Sequence, residues 1–352
     1  MLDFQLVWFD SMGAKSSCTL VKTDDTSILI DPGAAIMQPS FPLPGGWKAH
    51  FVDLATKAIV EASRGAEHIV ISHYHYDHHT LEYLEIYKGK KLWVKDPNRW
   101  INISQWWRAR LFLEKLCKAL GGVDLRSFEV DPGEEDFPDP LESLPLLGEN
   151  ISHGYRGRWE ELLEKGRKSF QRLTQYWMGH RWVREPKLGD TVVSYADGGG
   201  FRVGGTRVRF TKPVFHGIEF SRTGWVFSTI IEHGGVKLIH TSDLEGPIIE
   251  DYAQWLIDEK PDILILDGPT TYLLGYLLNM ENLGRSLKNI SRIVEEGDIG
   301  LIIYDHHLLR DPLFRERTKG IWGKVTTAAE YRGGEPLVLR AARGEFKGKR
   351  PP

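Results

Sequence analysis

The segment His73-Tyr74-His75-Tyr76-Asp77-His78-His79 holds four of the chain's 13 histidines and directly follows the apolar run Glu67–Ser72, EHIVIS. Short apolar runs of this kind, bounded by turn signals, read as buried strands. In α/β proteins the crevice beyond a strand's end is where ligand sites form. On extended backbone, side chains two apart point the same way, so His73 and His75 can share one metal ion. Asp77 and His78 come on the next bend and suit a neighbouring ion. Imidazole and carboxylate are ligands that zinc accepts. A lone histidine is usually a surface or hydrogen-bonded core residue, whereas four with an aspartate in one short stretch read as a metal site.

Outward from this segment the same signature recurs. SILID ends in Asp31, VKLIHTSD in Asp243, DILILD in Asp267 and LIIYDHH in Asp305-His306-His307, while His216 follows another strand in KPVFHG. A His-x-His-x-Asp-His motif, then a distant His, an Asp after a strand and a terminal His, resembles the metallo-β-lactamase superfamily. The matching elements span about residues 1–95 and 191–310, in the family's order. SMGAKSSCTLV, ILIDPG and SHYHYDHH further resemble an uncharacterised, mainly archaeal subgroup of predicted metal-dependent hydrolases.

The resemblance implies an α/β fold, a four-layer αββα sandwich. It implies that His73, His75 and His216 bind a first metal ion. Asp77, His78 and one histidine of the 306–307 pair bind a second, with His306 preferred because it comes first after the strand. Asp243 bridges the two. Asp31 is implied to be a buried partner hydrogen-bonding motif residues. His79, His307 and Asp267 are assigned supporting places around the ligands, and His240 is a further candidate for one.

Two zinc ions ~3.5–4 Å apart can share a bridging hydroxide, since each lowers the pKa of bound water toward ~7. The implied activity is a binuclear metal-dependent hydrolase in which that hydroxide attacks an ester-like or phosphodiester bond and Asp77 orients it. Zinc is the first expectation for both divalent ions, with manganese or iron as alternatives. No Gly-x-Ser-x-Gly elbow, P-loop or Gly-x-Gly-x-x-Gly fingerprint competes with this reading. Other classes remain on the same fold. A di-iron oxidoreductase would carry Glu at the motif's second histidine, here His75. A nuclease, or a non-catalytic nucleic-acid-binding module, would use basic and aromatic side chains for phosphate contacts and stacking.

The 138 residues from His78 to His216 exceed what the family needs, so a helical insertion over 96–190 is expected within a single hydrolase domain, 1–352. Asp96-Pro97 reads as a helix start, with Trp100, Ile103, Trp107, Leu111 and Leu116 as its apolar stripe. Residues 121–150 hold nine Asp/Glu against one Arg, with four prolines, and read as an acidic loop. A second helix runs through Trp159, Leu163, Phe170 and Trp177. Residues 151–187 hold nine Lys/Arg against four Glu, and seven of the 12 Trp lie between Trp93 and Trp182. Those Trp are either core or an aromatic, basic wall for a large or anionic substrate. In the second case Arg156, Arg158 and Arg172 are candidate contacts, as is Lys15 in the early Gly13–Ser16 turn.

Elsewhere, strands are expected at Phe4–Phe9, Ser17–Thr23 and Ser27–Asp31, and a helix at His50–Ser63. Thr191–Asp197, Phe201–Val203 and Arg207–Lys212 read as an antiparallel meander that Trp225–Glu232 continues, and the last nine residues as frayed. A net charge of −3 gives no global pull toward nucleic acid or anionic membrane. Cys18 and Cys117 are in no metal spacing, which excludes a disulfide framework and suggests a reducing compartment. The start MLDFQLVWFD has no signal-peptide pattern, and no apolar stretch approaches the ~20 residues of a membrane span. A cytoplasmic protein acting on a small ester or phosphodiester is expected, with nucleic acid a second candidate partner and no membrane contact.

Overall fold

In a computed structural model covering residues 1–352, two mixed sheets face each other. The first runs in the order Leu2–Phe9, Ser17–Thr23, Ser27–Ile30, His68–Ile71, Lys91–Val94, Thr191–Tyr195, Lys187–Leu188. The second runs Gly200–Val203, Thr206–Phe210, Thr229–His233, Val236–His240, Ile263–Asp267, Leu301–Asp305. Each begins as antiparallel hairpins and then turns parallel. Parallel neighbours need a crossover, and helices supply three of them. Helix α1 (Gly45–Arg64) precedes His68–Ile71. In the second half, α4 (Glu250–Glu259) and α5 (Met280–Glu296) precede the last two strands; α2 and α3 are given below.

Strand side chains alternate between two cores, as a period of two requires. Ile28, Ile30, Val70, Ile265 and Ile303 fill the layer between the sheets. Leu29, Ile69 and Ile71 face outward under α1, and Leu264, Leu266, Ile302 and Tyr304 face outward under α4 and α5. The result is helix, sheet, sheet, helix: the four-layer αββα sandwich.

Residues 96–190 add α2 (Ile103–Leu116) and α3 (His153–Met178) to the outer face of the first sheet. The start of α2 differs from expectation. The Asp96 carboxylate accepts from Asn98 N at 2.8 Å and from Arg99 Nε at 3.0 Å, and Trp100 sits at a φ of 51°, so the chain leaves any helical path there. Asn102 is the real N-cap, accepting from Gln105 N at 2.7 Å. The buried face is consequently Trp106, Ala109, Phe112, Leu113 and Leu116, while Ile103, Trp107 and Leu111 of the expected stripe are exposed. Of the seven Trp from Trp93 to Trp182, Trp106, Trp159 and Trp177 are buried, Trp93, Trp100 and Trp182 are half-buried, and Trp107 is exposed. Trp100, Phe170 and Trp177 pack at 5.2–6.2 Å around one another and at 5.8–6.0 Å on Trp225. Trp225 belongs to a two-stranded ribbon, Val214–Phe215 with Trp225–Val226, that leads into His216.

Three further expectations are corrected. Thr191–Tyr195 pairs parallel with Lys91–Val94 in the first sheet rather than joining the later meander, because the loop 196–199 passes the chain between sheets. Trp225–Glu232 splits into two strands of different sheets. The C-terminal segment is also seated: Phe346 is buried 4.9 Å from the Trp47 ring.

A buried ion triad ties the second half together. Arg285 of α5 donates to both Glu250 oxygens at 2.9 and 2.8 Å and to Glu219 at 2.5 Å. Glu250 starts α4, and Glu219 lies in the loop after His216. Removing one member leaves buried charges unpaired, so Arg285→Ala should lower stability by about 3–5 kcal/mol in a urea titration.

Candidate metal centre

Parallel strands end on a common edge, and the residues just past those ends meet there. Asp31, Ser72-His73, Ser242-Asp243, Asp267 and His306 all follow or close such strands. The turns are tight: Asp31, Ser242, Glu245 and His306 take φ of 49°, 55°, 53° and 64°. Left-handed backbone at non-glycine residues costs about 1–3 kcal/mol each and tends to cluster at functional sites. Asp305 shows how one turn is held: its carboxylate accepts from His306 N at 2.7 Å, Ser11 N at 3.1 Å and Ala328 N at 2.8 Å. Gly33 is needed for another reason. Its α-carbon lies so close to the backbone of His78 and His79 that a Cβ would collide with it.

Asp243 is the hub. Its Oδ2 lies 3.1 Å from His216 Nε2 and 3.3 Å from His73 Nε2 and His78 Nε2, and its Oδ1 lies 3.4 Å from His306 Nε2. His75 Nδ1 is 3.0 Å from His73 Nε2. Three groups of potential ligand atoms result, each within 4.8 Å: His73, His75, His216 and Asp243; Asp77, His78 and His306; and Asp243, His306 and His307. Asp243 belongs to the first and third, and its Oδ2 lies 3.3 Å from His78 Nε2 of the second. All of these side chains except His75 are buried. Both Asp243 oxygens and the Nε2 atoms of His78 and His216 have no hydrogen-bond partner. Burying polar atoms unpaired is costly, and a cation among them removes that cost. The donor set of imidazoles with carboxylates fits a divalent ion such as zinc.

Behind the ligands stands a ring of orienting groups. His78 Nδ1 meets Asp31 at 3.0 Å, His306 Nδ1 meets Asp10 at 2.9 Å, and His216 Nδ1 meets Glu245 at 3.1 Å. His73 Nδ1 lies 3.1 Å from the Ser72 hydroxyl, which itself contacts Ser242 and Asp31. Such partners fix the ring orientation and raise ligand basicity. Asp10, Glu245, Ser72 and Ser242 were missed, although Asp10 also ends a strand and Glu245 stands two residues past Asp243. Arg310 was missed as well: a buried guanidinium that donates to Asp10 and, at 3.1 Å, to Asp77.

His306 joins Asp77 and His78, yet His307 also turns inward. Its Nε2 is 4.0 Å from Asp243, while Asp267 holds its Nδ1 at 3.0 Å. His79 points away, with Nδ1 2.9 Å from the His75 carbonyl and its ring against Phe112. His240 shapes the Ser242 turn, with its Nδ1 3.2 Å from Ser242 N. Lys15 is half-buried. Burial and the Arg310 charge lower its pKa, against Asp77 and Asp10. Arg156, Arg158 and Arg172 are exposed on α3. Arg156 donates to the Gly148 carbonyl at 3.0 Å and Arg158 pairs with Glu161 at 2.9 Å.

Charge states follow from this arrangement. Burial opposes a charged His78, but Asp243 and Asp31 outweigh it and lift its pKa to about 10. His216 is lifted to about 10 against the same penalty by Asp243 and Glu245. Burial and the His78 charge take His73 down to about 4. Burial also opposes ionised Asp243 and Asp77, yet the surrounding cations hold both well below the usual carboxylate range.

Protons on His78 and His216 must leave before either nitrogen can bind metal. Zinc added to the metal-free protein at pH 7 is therefore expected to release protons, measurable with an indicator dye. Its affinity should rise with pH toward about 10 and fall as pH drops. Asp10→Ala is expected to weaken metal binding about 10–100-fold in competition with a chelator. Unchanged affinity would show that Asp10 does not orient His306.

A sequence profile described as Metallo-beta-lactamase superfamily matches residues 13–79. The UPF0282 protein of Metallosphaera sedula is 32% identical over 353 residues, covering 96% of this chain and 90% of its own. The UPF0282 protein of Methanopyrus kandleri is 30% identical over 359 residues, covering 97% of both. Among solved structures, the metallo-beta-lactamase fold protein YhfI from Bacillus subtilis is similar at 12% identity and a TM-score of 0.43, covering 93% of this chain and 95% of its own. Igni18, a metallo hydrolase from Ignicoccus hospitalis, is similar at 14% and 0.41, covering 93% and 94%. On its full-length likeness to these relatives and on the motif its N-terminal part carries, the chain belongs to the UPF0282 family, within the metallo-β-lactamase superfamily.

Proposed function

We propose that this protein is a binuclear metal-dependent hydrolase that cleaves an ester-like or phosphodiester bond in a small molecule, with zinc as its metal. The observation that carries the reading is the buried, unpaired Asp243 carboxylate with imidazole nitrogens at 3.1–3.4 Å. His73, His75, His216 and Asp243 would hold one ion, and Asp77, His78, His306 and Asp243 the other. When bound, two divalent ions supply a water of lowered pKa as nucleophile and offset negative charge developing on the attacked group.

The chain's own residues then position and move protons. Asp77 is ionised, and Arg310 anchors its Oδ2 at 3.1 Å while its Oδ1 lies 4.0 Å from His78 Nε2. Held so, it can orient a water and take up its proton. Lys15 would meet an anionic part of the substrate. The segment 96–190 is read as an insertion within a single cytoplasmic hydrolase domain, and it braces the His216 ribbon through Trp225. No helix is long and apolar enough to cross a membrane.

The decisive measurement is metal per chain by elemental analysis. Asp243→Ala and His75→Ala should each lose metal, and retention of two ions by both variants would overturn the ligand assignment. Zinc- and manganese-loaded protein should then hydrolyse one of three substrates: a bis-aryl phosphodiester, a lactone or a thioester. Asp77→Asn should lower kcat on that substrate by about 10²–10⁴-fold. Fully loaded protein inert on all three would count against hydrolysis.

A further inference from the structure

A cavity of about 840 Å³ opens beside the ribbon that carries His216, in the size range of ligand pockets. None of the seven metal-ligand candidates lines it. Trp100, Phe215, Trp225, Tyr252 and Trp255 give it aromatic surface. One wall is the proline-rich acidic segment Glu135–Leu144, the part of the 121–150 loop that the hydrolase reading leaves without a role.

Seven carboxylates and three basic side chains line this cavity. Most are already neutralised. Arg99 pairs with Asp96 and Glu135, Arg209 with Glu259 and Glu232, Asp139 with Arg167, and Asp197 with Lys95. Asp136, Glu142 and Asp251 take part in no ion pair, and neither does Lys212. Asp251 accepts from Leu146 N through Oδ1 at 3.0 Å, but its Oδ2 is buried with no donor. The three carboxylates do not form a group within 4.8 Å, as the metal ligands do. One small ion therefore cannot touch all three, and a ligand that neutralises them must carry its positive charges apart.

We infer that this cavity binds an organic polyamine, with its ammonium groups on Asp136, Glu142 and Asp251 and its methylene chain against the tryptophans. Ammonium groups are drawn to aromatic faces as well as to carboxylates, and the aromatic walls bury the alkyl segments between charges. The floor residue Phe215 precedes His216 and donates its N–H to Tyr252 at 2.8 Å. The cavity and the metal centre thus share one ribbon. This inference does not rest on the hydrolase reading.

The test is calorimetric titration of spermidine into the full-length protein, with magnesium chloride as competitor at matched ionic strength. Saturable one-to-one binding is expected, weakened about tenfold in Asp251→Asn and in the exposed double variant Asp136→Asn/Glu142→Gln. Trp255→Phe should also weaken binding although it alters no charge, and Glu161→Gln on α3 should leave it unchanged. The inference is overturned by an absence of saturable binding up to about 10 mM. It is equally overturned by affinity that none of the cavity variants changes, or by magnesium displacing spermidine as one simple counterion displaces another.

Discussion

Asp243 is a carboxylate at 1% exposure with neither oxygen hydrogen-bonded and imidazole nitrogens at 3.1–3.4 Å. Such a group is stable only beside positive charge. The imidazoles of His78, His216 and His306, whose pKa values are raised, supply that charge, and a bound cation would supply it in their place. Much of the surrounding architecture keeps this cluster assembled. Asp10, Asp31 and Glu245 oppose the outer nitrogens of His306, His78 and His216, and Arg310 joins Asp10 to Asp77.

The strain near the cluster belongs to the same arrangement. Four non-glycine residues in the left-handed region lie just past strand ends. They turn the chain abruptly enough for side chains from both sheets to meet. The energy comes from the apolar layers, where alternate strand residues pack between the sheets and under the helices. The tryptophan-rich segment contributes by packing Trp100, Phe170 and Trp177 on Trp225. It packs behind the ribbon that leads into His216, and Trp107 is its one exposed tryptophan.

The sequence by itself determined which residue types could ligate a metal and the order in which they come. A dense histidine motif after an apolar strand, and acidic residues ending further strands, are local patterns whose spacing is chemically meaningful. The two-layer alternation of Ile28, Leu29 and Ile30 is likewise local. Only the tertiary structure decided the rest, because it depends on contacts far apart in the chain. Asp10 meets His306 across 296 residues, and its place after a strand does not say which histidine it will meet. The inward turn of both His306 and His307 depends on backbone angles that alternation does not describe. The start of α2 moved because Trp100 adopts a left-handed conformation, which exposes the side chains that periodicity had assigned to the core. Side-chain period is a property of the chain, whereas which face finds a partner is a property of packing.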